Sequence, residues 1–357
     1  MPVHTLPATE AIRRLGDFHT IIDARSEDEH ALDHVPGALN WPTLDNAERI
    51  AIGTMYKQVN AFEAKKRGAA IAARNIAAHI EREVIDKPRD WKPLVYCWRG
   101  GNRSGALATI LGAIGFQVTL IEGGYKAWRA ALVDDLAIQA PRHQYRVVCG
   151  PTGSGKTRLL HALAEQGAQV IDLEGLALHR SSVLGHLPGI EQPSQKRFDS
   201  LVWDALRSLD PQRPVFIESE SKKVGNLRVP DALIDAMRAS PCIDLQLPDE
   251  ERADLLLEDY PHFVEDPDFF CERLEALTEL RGKAVVNDWI EKVRAGKTRE
   301  VVLDLLKTHY DPMYAASIAR NFARYGEAKP CVLGDRSRQS LSTAALSLCR
   351  DAADTGP

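Results

Sequence analysis

Short apolar runs ending in polar or glycine-rich turns recur along the first part of the chain, and helical spacing takes over later. Residues 18–23 read as a strand closing on a polar residue, with a turn at Pro36-Gly37. Residues 61–83 carry many alanines and apolar positions at helical spacing. The run Pro93-Leu-Val-Tyr96 brings Cys97 to a strand end, residues 104–114 read as a helix closed by Gly115, and 118–121 as a strand. Gly123-Gly124 then opens a helix expected to run through Ala131, and a linker is expected at 134–143, around Gln139-Ala-Pro-Arg. A second round begins with Tyr145-Arg-Val-Val-Cys149, a glycine-rich loop and a helix over 157–166, with further strands at 170–172 and 215–218. From Asp249 onward the pattern is mostly helical, at 251–258, 270–280 and 298–307, and the tail after Leu348 is expected to fray. Strands alternating with helices predict an α/β fold with parallel sheets, whose ligands gather outside the C-terminal ends of the strands.

Composition narrows the setting. With 357 residues, 44% of them hydrophobic and 27% charged, the chain can bury cores in two or three domains. A net charge of -5 gives no global attraction to nucleic acid, so an RNA partner would need a local basic surface. Cysteines at 97, 149, 242, 271, 331 and 349 form no CxxC pair, zinc knuckle or disulfide framework. Free thiols in a large chain fit a reducing compartment. The opening Met-Pro-Val-His-Thr-Leu lacks the marks of a signal peptide, and no run of about 18 apolar residues predicts a membrane span. The expected location is the cytoplasm, with no membrane and no obligate protein partner.

Two glycine-rich loops carry the chemistry. The first is Cys97-Trp98-Arg99-Gly100-Gly101-Asn102-Arg103-Ser104. A thiolate at a strand end, wrapped by backbone N–H groups and followed by a helix, is electrostatically stabilised. Arg99 and Arg103 would add to that and could hold a substrate oxyanion. Ser104 could cap the helix or donate to a bound anion. A lone cysteine is more often buried and inert, but two arginines and two glycines in this loop favour a nucleophile.

Around it, the N-terminal third resembles the rhodanese family of sulfur-transfer domains. The resemblance rests on Asp23-Ala-Arg25-Ser26, Glu29, His34-Val-Pro36-Gly37-Ala38-Leu-Asn40, Pro42, and Gly123-Gly124 with Trp128. It implies a cysteine that carries a persulfide, with Asp23 and Arg25 structural. One departure is that Arg103 stands six positions after Cys97, where the rhodanese loop closes after five. That Cys-x5-Arg spacing is also the phosphate cradle of cysteine phosphatases, although Tyr96 replaces their leading histidine and no general acid stands out.

The second loop, Gly150-Pro151-Thr152-Gly153-Ser154-Gly155-Lys156-Thr157, fits G-x-x-x-x-G-K-T between a predicted strand and helix. Its amides can cradle phosphates, Lys156 can reach the terminal one, and Thr157 can ligate magnesium. Asp172 and Glu218 are candidate acidic magnesium ligands, with Glu220 close behind, though all three could be ordinary strand-end carboxylates. Arg180, Lys196-Arg197, Lys222, Lys223 and Arg228 could meet substrate phosphates, although each alone is more often a solvated charge.

The order of a rhodanese-like part at 1–138, a P-loop NTPase-like core at 144–248 and a mainly helical region at 249–357 resembles the tRNA 2-selenouridine synthase family. Both loops, the stretch Asp172-Leu-Glu-Gly-Leu-Ala-Leu-His-Arg180, Glu218-Ser-Glu220-Ser and Arg228 carry that likeness. It implies a selenophosphate-dependent transferase that replaces sulfur by selenium in the wobble 2-thiouridine of tRNA. Geranyl diphosphate would first alkylate the sulfur, and selenium would then displace the geranylthio group. No tightly bound organic cofactor is expected. The partners would be that tRNA and a supplier of selenophosphate. Lys65-Lys66-Arg67, residues 292–299, Arg320 and Arg324 could touch RNA, and Trp98 could stack on a base or pack the loop. An ATP-dependent tRNA sulfurtransferase with a persulfide cysteine, a cysteine phosphatase and a nucleotide-controlled regulatory module remain alternatives.

Overall fold

Each predicted round of strand and helix builds its own parallel sheet. The computed structural model describes residues 3–180 and 189–354, with side chains to residue 352. These fall into two units, one formed by the chain up to Leu136 together with Pro193–Asp204, the other by Ala137–Gln192 and the chain from Ala205 onward.

The first unit holds a five-stranded sheet in the order His4–Leu6, Thr119–Ile121, Pro93–Tyr96, Thr20–Asp23, Ala38–Asn40. Every pairing is parallel, with Asp23 in register with Tyr96. Ile22, Leu94 and Val95 are fully buried, as a sheet covered on both faces requires. Helix Ala61–Glu83 has the expected bounds, because the Asn60 carboxamide oxygen accepts from the Phe62 and Glu63 amides and starts it cleanly. Helix Asn46–Gln58, which the hydrophobic spacing does not announce, precedes it and buries no residue.

Helix Gly124–Gln139 runs through much of the stretch expected to be a linker. Leu132 and Leu136 continue its buried stripe, and Asp135 accepts a 2.8 Å hydrogen bond from the Trp203 indole. Trp203 lies on helix Gln195–Arg207, also unforeseen. That helix brings Phe198, Val202 and Trp203 into the first unit, where Trp203 stands edge-on to Trp128 at 5.5 Å.

The second unit's sheet has the order Lys329–Val332, Cys242–Gln246, Gln144–Cys149, Pro214–Glu218, Gln169–Ile171, again all parallel. The edge strand Lys329–Val332 interrupts the region expected to be helical. Only Cys331 of its side chains is buried, so its residues carry little hydrophobic signal. Helix Arg338–Asp354 packs Leu341, Ala345 and Leu348 into one core with Leu159, Leu160 and Leu163 of helix Lys156–Glu165. The C-terminal segment therefore stays helical past Leu348. A separate helical cluster forms around Phe270, Trp289 and Leu305. There the single helix expected over 270–280 is split into Pro267–Glu275 and Thr278–Arg281, with Leu277 buried at the break. Among the described residues no helix is long and apolar enough to cross a membrane.

Candidate active site

The cysteine loop leaves strand Pro93–Tyr96 and enters helix Asn102–Ile114. Its floor is the start of helix Gly124–Gln139. Tyr125 N–H donates to the Cys97 carbonyl at 2.8 Å and Lys126 N–H to the Trp98 carbonyl at 3.0 Å. Gly124 has φ +60°, and a β-carbon there would stand 2.2 Å from the Cys97 oxygen. Only glycine fits such a close, left-handed approach. The N–H groups of residues 98–102 have no acceptor among the described residues, which leaves an anion-binding nest beside the thiol.

Cys97 is 3% exposed, and the Ser104 hydroxyl donates to its sulfur at 3.1 Å. Ser104 lies inside the helix, so the capping role considered for it is not the one it takes; Gly101 is the N-cap. Arg103 is held in a fork by Glu29, at 2.6 and 3.2 Å. Burial would raise the Glu29 carboxyl, but the hydrogen bond and charge of Arg103 outweigh it and hold it below the usual range. Arg99 is exposed and has no ion-pair partner among the described residues, so the two arginines are not equivalent. Trp98 stacks on Tyr125 at 5.5 Å, and Lys196 reaches within 6.0 Å of the Trp98 ring. Asp23 and Arg25 form a buried pair at 2.6 Å, and Arg25 also lies over the Tyr125 ring.

The second loop follows the middle strand of its sheet, with Val148 in register with Glu218. Gly153, Gly155, Lys156 and Thr157 keep N–H groups without an acceptor among the described residues, at the N-terminus of helix Lys156–Glu165. Lys156 Nζ donates to the Gly150 carbonyl at 2.8 Å. Side chains distant in sequence brace the loop from outside. Arg252, 3% exposed, donates to the Thr152 carbonyl at 2.8 and 3.1 Å and forks onto Asp311, at 2.6 and 3.0 Å. Tyr314 accepts the Gly150 N–H at 2.6 Å. Gly153, at φ +76°, would place a β-carbon 3.0 Å from both the Arg252 carbonyl and Leu256.

Beside these amides opens a cavity of about 340 Å³. Lys156, Thr157, Arg180 and Glu220 line its polar part, while Leu255, Leu256, Tyr260, Met313, Ile318 and Phe322 contribute an apolar wall. The wall comes from helices Asp249–Asp259 and Asp311–Asn321 and the turns that follow them. A π-helical turn, Leu306–Tyr310, leads into the second of these helices, an irregularity often found at functional sites.

The tRNA 2-selenouridine synthase AAA domain family matches residues 143–275, and the rhodanese-like domain family matches residues 7–131. A tRNA 2-selenouridine synthase from Aeromonas salmonicida (strain A449) is 33% identical over 360 residues, 92% of this chain and 96% of that protein. The chain belongs to the tRNA 2-selenouridine synthase family. A relative of the same description from Alcanivorax borkumensis is 31% identical over 335 residues, covering 84% of this chain and 90% of its own. Another, from Nitrosomonas europaea, is 34% identical over 247 residues, 67% of this chain and 63% of that protein.

In this tRNA 2-selenouridine synthase family member, the expected acidic set is rearranged. Glu174, Glu218 and Glu220 bring carboxylate oxygens within 4.8 Å of one another. Thr157 joins them through a 3.2 Å bond to Glu174. Asp172 instead caps helix Leu173–Ala177 through the Gly175 amide and bonds His161 at 3.0 Å. Burial, then the charges of Glu174, Glu220 and Asp172, push the Glu218 carboxyl well above the usual carboxylate range. Its Oε2 is buried without a hydrogen-bond partner among the described residues. An all-oxygen donor set with one orphaned carboxylate oxygen fits a hard divalent cation.

Arg180 reaches the cavity, paired with Asp259 at 3.0 Å and over the Tyr260 ring. Lys222, Lys223 and Arg228 do not line it; they are exposed at or just before the two-stranded ribbon of Lys223–Val224 and Leu227–Arg228, and Arg228 pairs with Asp231. Sequence reasoning missed Glu174, Arg252, Asp311, Tyr314 and the whole apolar wall. Glu174 had a readable signal, two residues beyond Asp172; the others become neighbours of the loop only through the fold.

Proposed function

We propose that the chain converts wobble 2-thiouridine in tRNA to 2-selenouridine in two steps carried by its two loops. In the first, the sulfur of 2-thiouridine attacks the allylic carbon of geranyl diphosphate, the carbon–oxygen bond breaks, and pyrophosphate leaves. The observation that carries this reading is the single cavity in which phosphate-binding amides meet an apolar wall. A prenyl diphosphate needs both ends at once. Lys156, Arg180 and the free amides of Gly153, Gly155, Lys156 and Thr157 would stabilise the charge that develops on the departing diphosphate. Thr157, Glu174, Glu218 and Glu220 would hold a divalent cation, which supplies further countercharge when bound.

In the second step a selenium nucleophile derived from selenophosphate adds at C2 of the base and the geranylthiolate leaves. An alkylated sulfur leaves more readily than a thiocarbonyl sulfur, which gives the order of the steps. The nest at residues 98–102 and the unpaired Arg99 would receive the selenophosphate oxyanion. Cys97, polarised by Ser104, would attack the phosphorus of selenophosphate, breaking the selenium–phosphorus bond so that hydrogen selenide leaves as the nucleophile, and water would then release phosphate from the cysteine. Arg103 is bound to Glu29, so its part is to fix the loop. The relatives' shared description as tRNA 2-selenouridine synthases supports tRNA as the substrate.

The test is mass spectrometry of nucleosides from 2-thiouridine tRNA incubated with purified protein. Geranyl diphosphate alone should yield S-geranyl-2-thiouridine, and added selenophosphate should yield 2-selenouridine. Cys97→Ser should lower selenation at least about 100-fold and leave geranylation within about twofold; Lys156→Ala should lower geranylation at least about 100-fold, and selenation with it unless S-geranyl-2-thiouridine tRNA is supplied. Sulfur transfer that requires ATP, with neither product formed, would replace this reading by the sulfurtransferase.

A further inference from the structure

We infer that the tip of the helical hairpin formed by Asn46–Gln58 and Ala61–Glu83 is an RNA-docking surface that receives an unpaired stretch of the tRNA. The inference rests on the tRNA reading above. Strands Ala38–Asn40 and Pro93–Tyr96 lie in one parallel sheet, and a crossover between such strands needs only about a dozen residues. Here the connection carries two paired helices.

The base of the hairpin is tied to the first unit. Ile76 and His79 are buried, His79 Nε2 bonds the Pro42 carbonyl at 3.0 Å, and Asn75 donates to the Thr43 carbonyl at 3.3 Å. Toward the turn these ties stop. The first helix buries nothing, and Ala64 is the only buried residue in the early turns of the second.

What the tip presents is unusual for a solvated turn. Val59 is 77% exposed, Phe62 66% and Tyr56 52%. Scattered apolar residues need no explanation, but three large ones at a single turn leave substantial apolar area in water. Residues 53–70 also hold four cations and one carboxylate, a local charge of +3 on a chain of -5. Lys66 pairs with Glu63 and sits 5.1 Å from the Phe62 ring. Lys57, Lys65 and Arg67 are exposed and have no ion-pair partner among the described residues.

The side chain of Asn60 holds the turn, so these groups sit on a braced element. Exposed rings flanked by unpaired cations match splayed bases joined by phosphates, since bases stack on rings while lysine and arginine meet the backbone. A duplex would leave the rings without a partner. A purely apolar protein surface would leave the cations without one.

The experiment measures binding of a fluorescently labelled, unmodified tRNA transcript to the full chain across a salt series. Lys57→Glu/Lys65→Glu/Arg67→Glu should weaken binding at least about 10-fold and flatten the log–log salt slope by about two, as expected for three lost single-strand phosphate contacts. Tyr56→Ala/Phe62→Ala should weaken it about 5- to 100-fold with the slope unchanged. Both variants should keep the wild-type melting temperature and wild-type pyrophosphate binding, which shows that they fold. If both bind the transcript like wild type, the hairpin inference is wrong and the tRNA reading stands. If the wild-type chain binds no tRNA, both fall. A dimer in sedimentation that Phe62→Asp disperses, with RNA affinity unchanged, would assign the tip to a second copy and overturn the inference.

Discussion

The two loops share one plan, a parallel strand, a glycine-rich turn and a helix N-terminus, yet they are held in place differently. The cysteine loop is braced by neighbours within the first 125 residues of the chain: the backbone at Gly123-Gly124, the Glu29 carboxylate and the Tyr125 ring. The phosphate loop is braced by Arg252, Asp311 and Tyr314, which are remote in sequence. A motif whose supports lie close at hand announces its whole site. One that depends on remote helices announces only its ligand's charged end.

The contrast can be broken most forcefully at Gly124. Alanine there combines a left-handed backbone with a clash against the Cys97 carbonyl. It should cost the first unit about 3 kcal/mol. Calorimetry should show that unit's transition falling by roughly 6–12 °C. Selenation should fall with it while pyrophosphate binding stays within about twofold. Loss of pyrophosphate binding as well would mean that the loops are not separately supported.

Arg252→Ala is the matching cut in the second unit. It removes both bonds to Thr152 and leaves Asp311 without its fork. The dissociation constant for pyrophosphate should rise about 10- to 100-fold by isothermal titration, with thiol reactivity at Cys97 unchanged. Arg252→Lys should recover little, because an ammonium cannot span both partners. Wild-type affinity in Arg252→Ala would show that the loop holds its shape alone.

The smallest effect comes from pH. Burial is the main cause that lowers the His34 pKa to about 4, and the ring stacks on His30 at 3.9 Å. An imidazole kept neutral in the fold but titrating near 6.5 when unfolded contributes stability above that value and loses it as pH falls toward 4. The first unit's melting temperature should therefore drop between pH 7 and pH 5, and His34→Asn should flatten the drop. A pH profile that His34→Asn leaves unaltered would assign the effect to other groups.

The same contrast explains what the residues revealed in advance. Inner strands were legible where burial makes them continuous apolar runs, as at Pro93–Tyr96 and Pro214–Glu218, but the inner strand Cys242–Gln246, interrupted by Asp244, was not. Nor was the edge strand Lys329–Val332, since three of its four side chains face water. Cys97 and the 150–157 loop stood out because their chemistry is written in consecutive residues. Glu218 closes a strand beside Glu174 and Glu220, whereas Asp172 caps a helix, and a helix cap and a metal ligand both call for a carboxylate after a strand. Arg103 was ambiguous for a similar reason, since a guanidinium that could grip an oxyanion can equally grip a carboxylate, here Glu29. The apolar wall left no local trace. Leu255 and Ile318 follow the spacing of ordinary core helices, and only the fold turns them toward a phosphate-binding loop.

Helix Gln195–Arg207 has a consequence for how the molecule is made. The first unit needs Phe198, Val202 and Trp203, so its core cannot close when the ribosome has finished Leu136. At roughly 5–20 residues per second, synthesis of the stretch up to Asp204 takes several seconds more. Throughout that interval Trp128 lacks its edge-on partner and stays open to solvent or to a chaperone. The thiol loop is among the first parts of the chain to be translated, but its unit matures only after the phosphate loop has also left the ribosome.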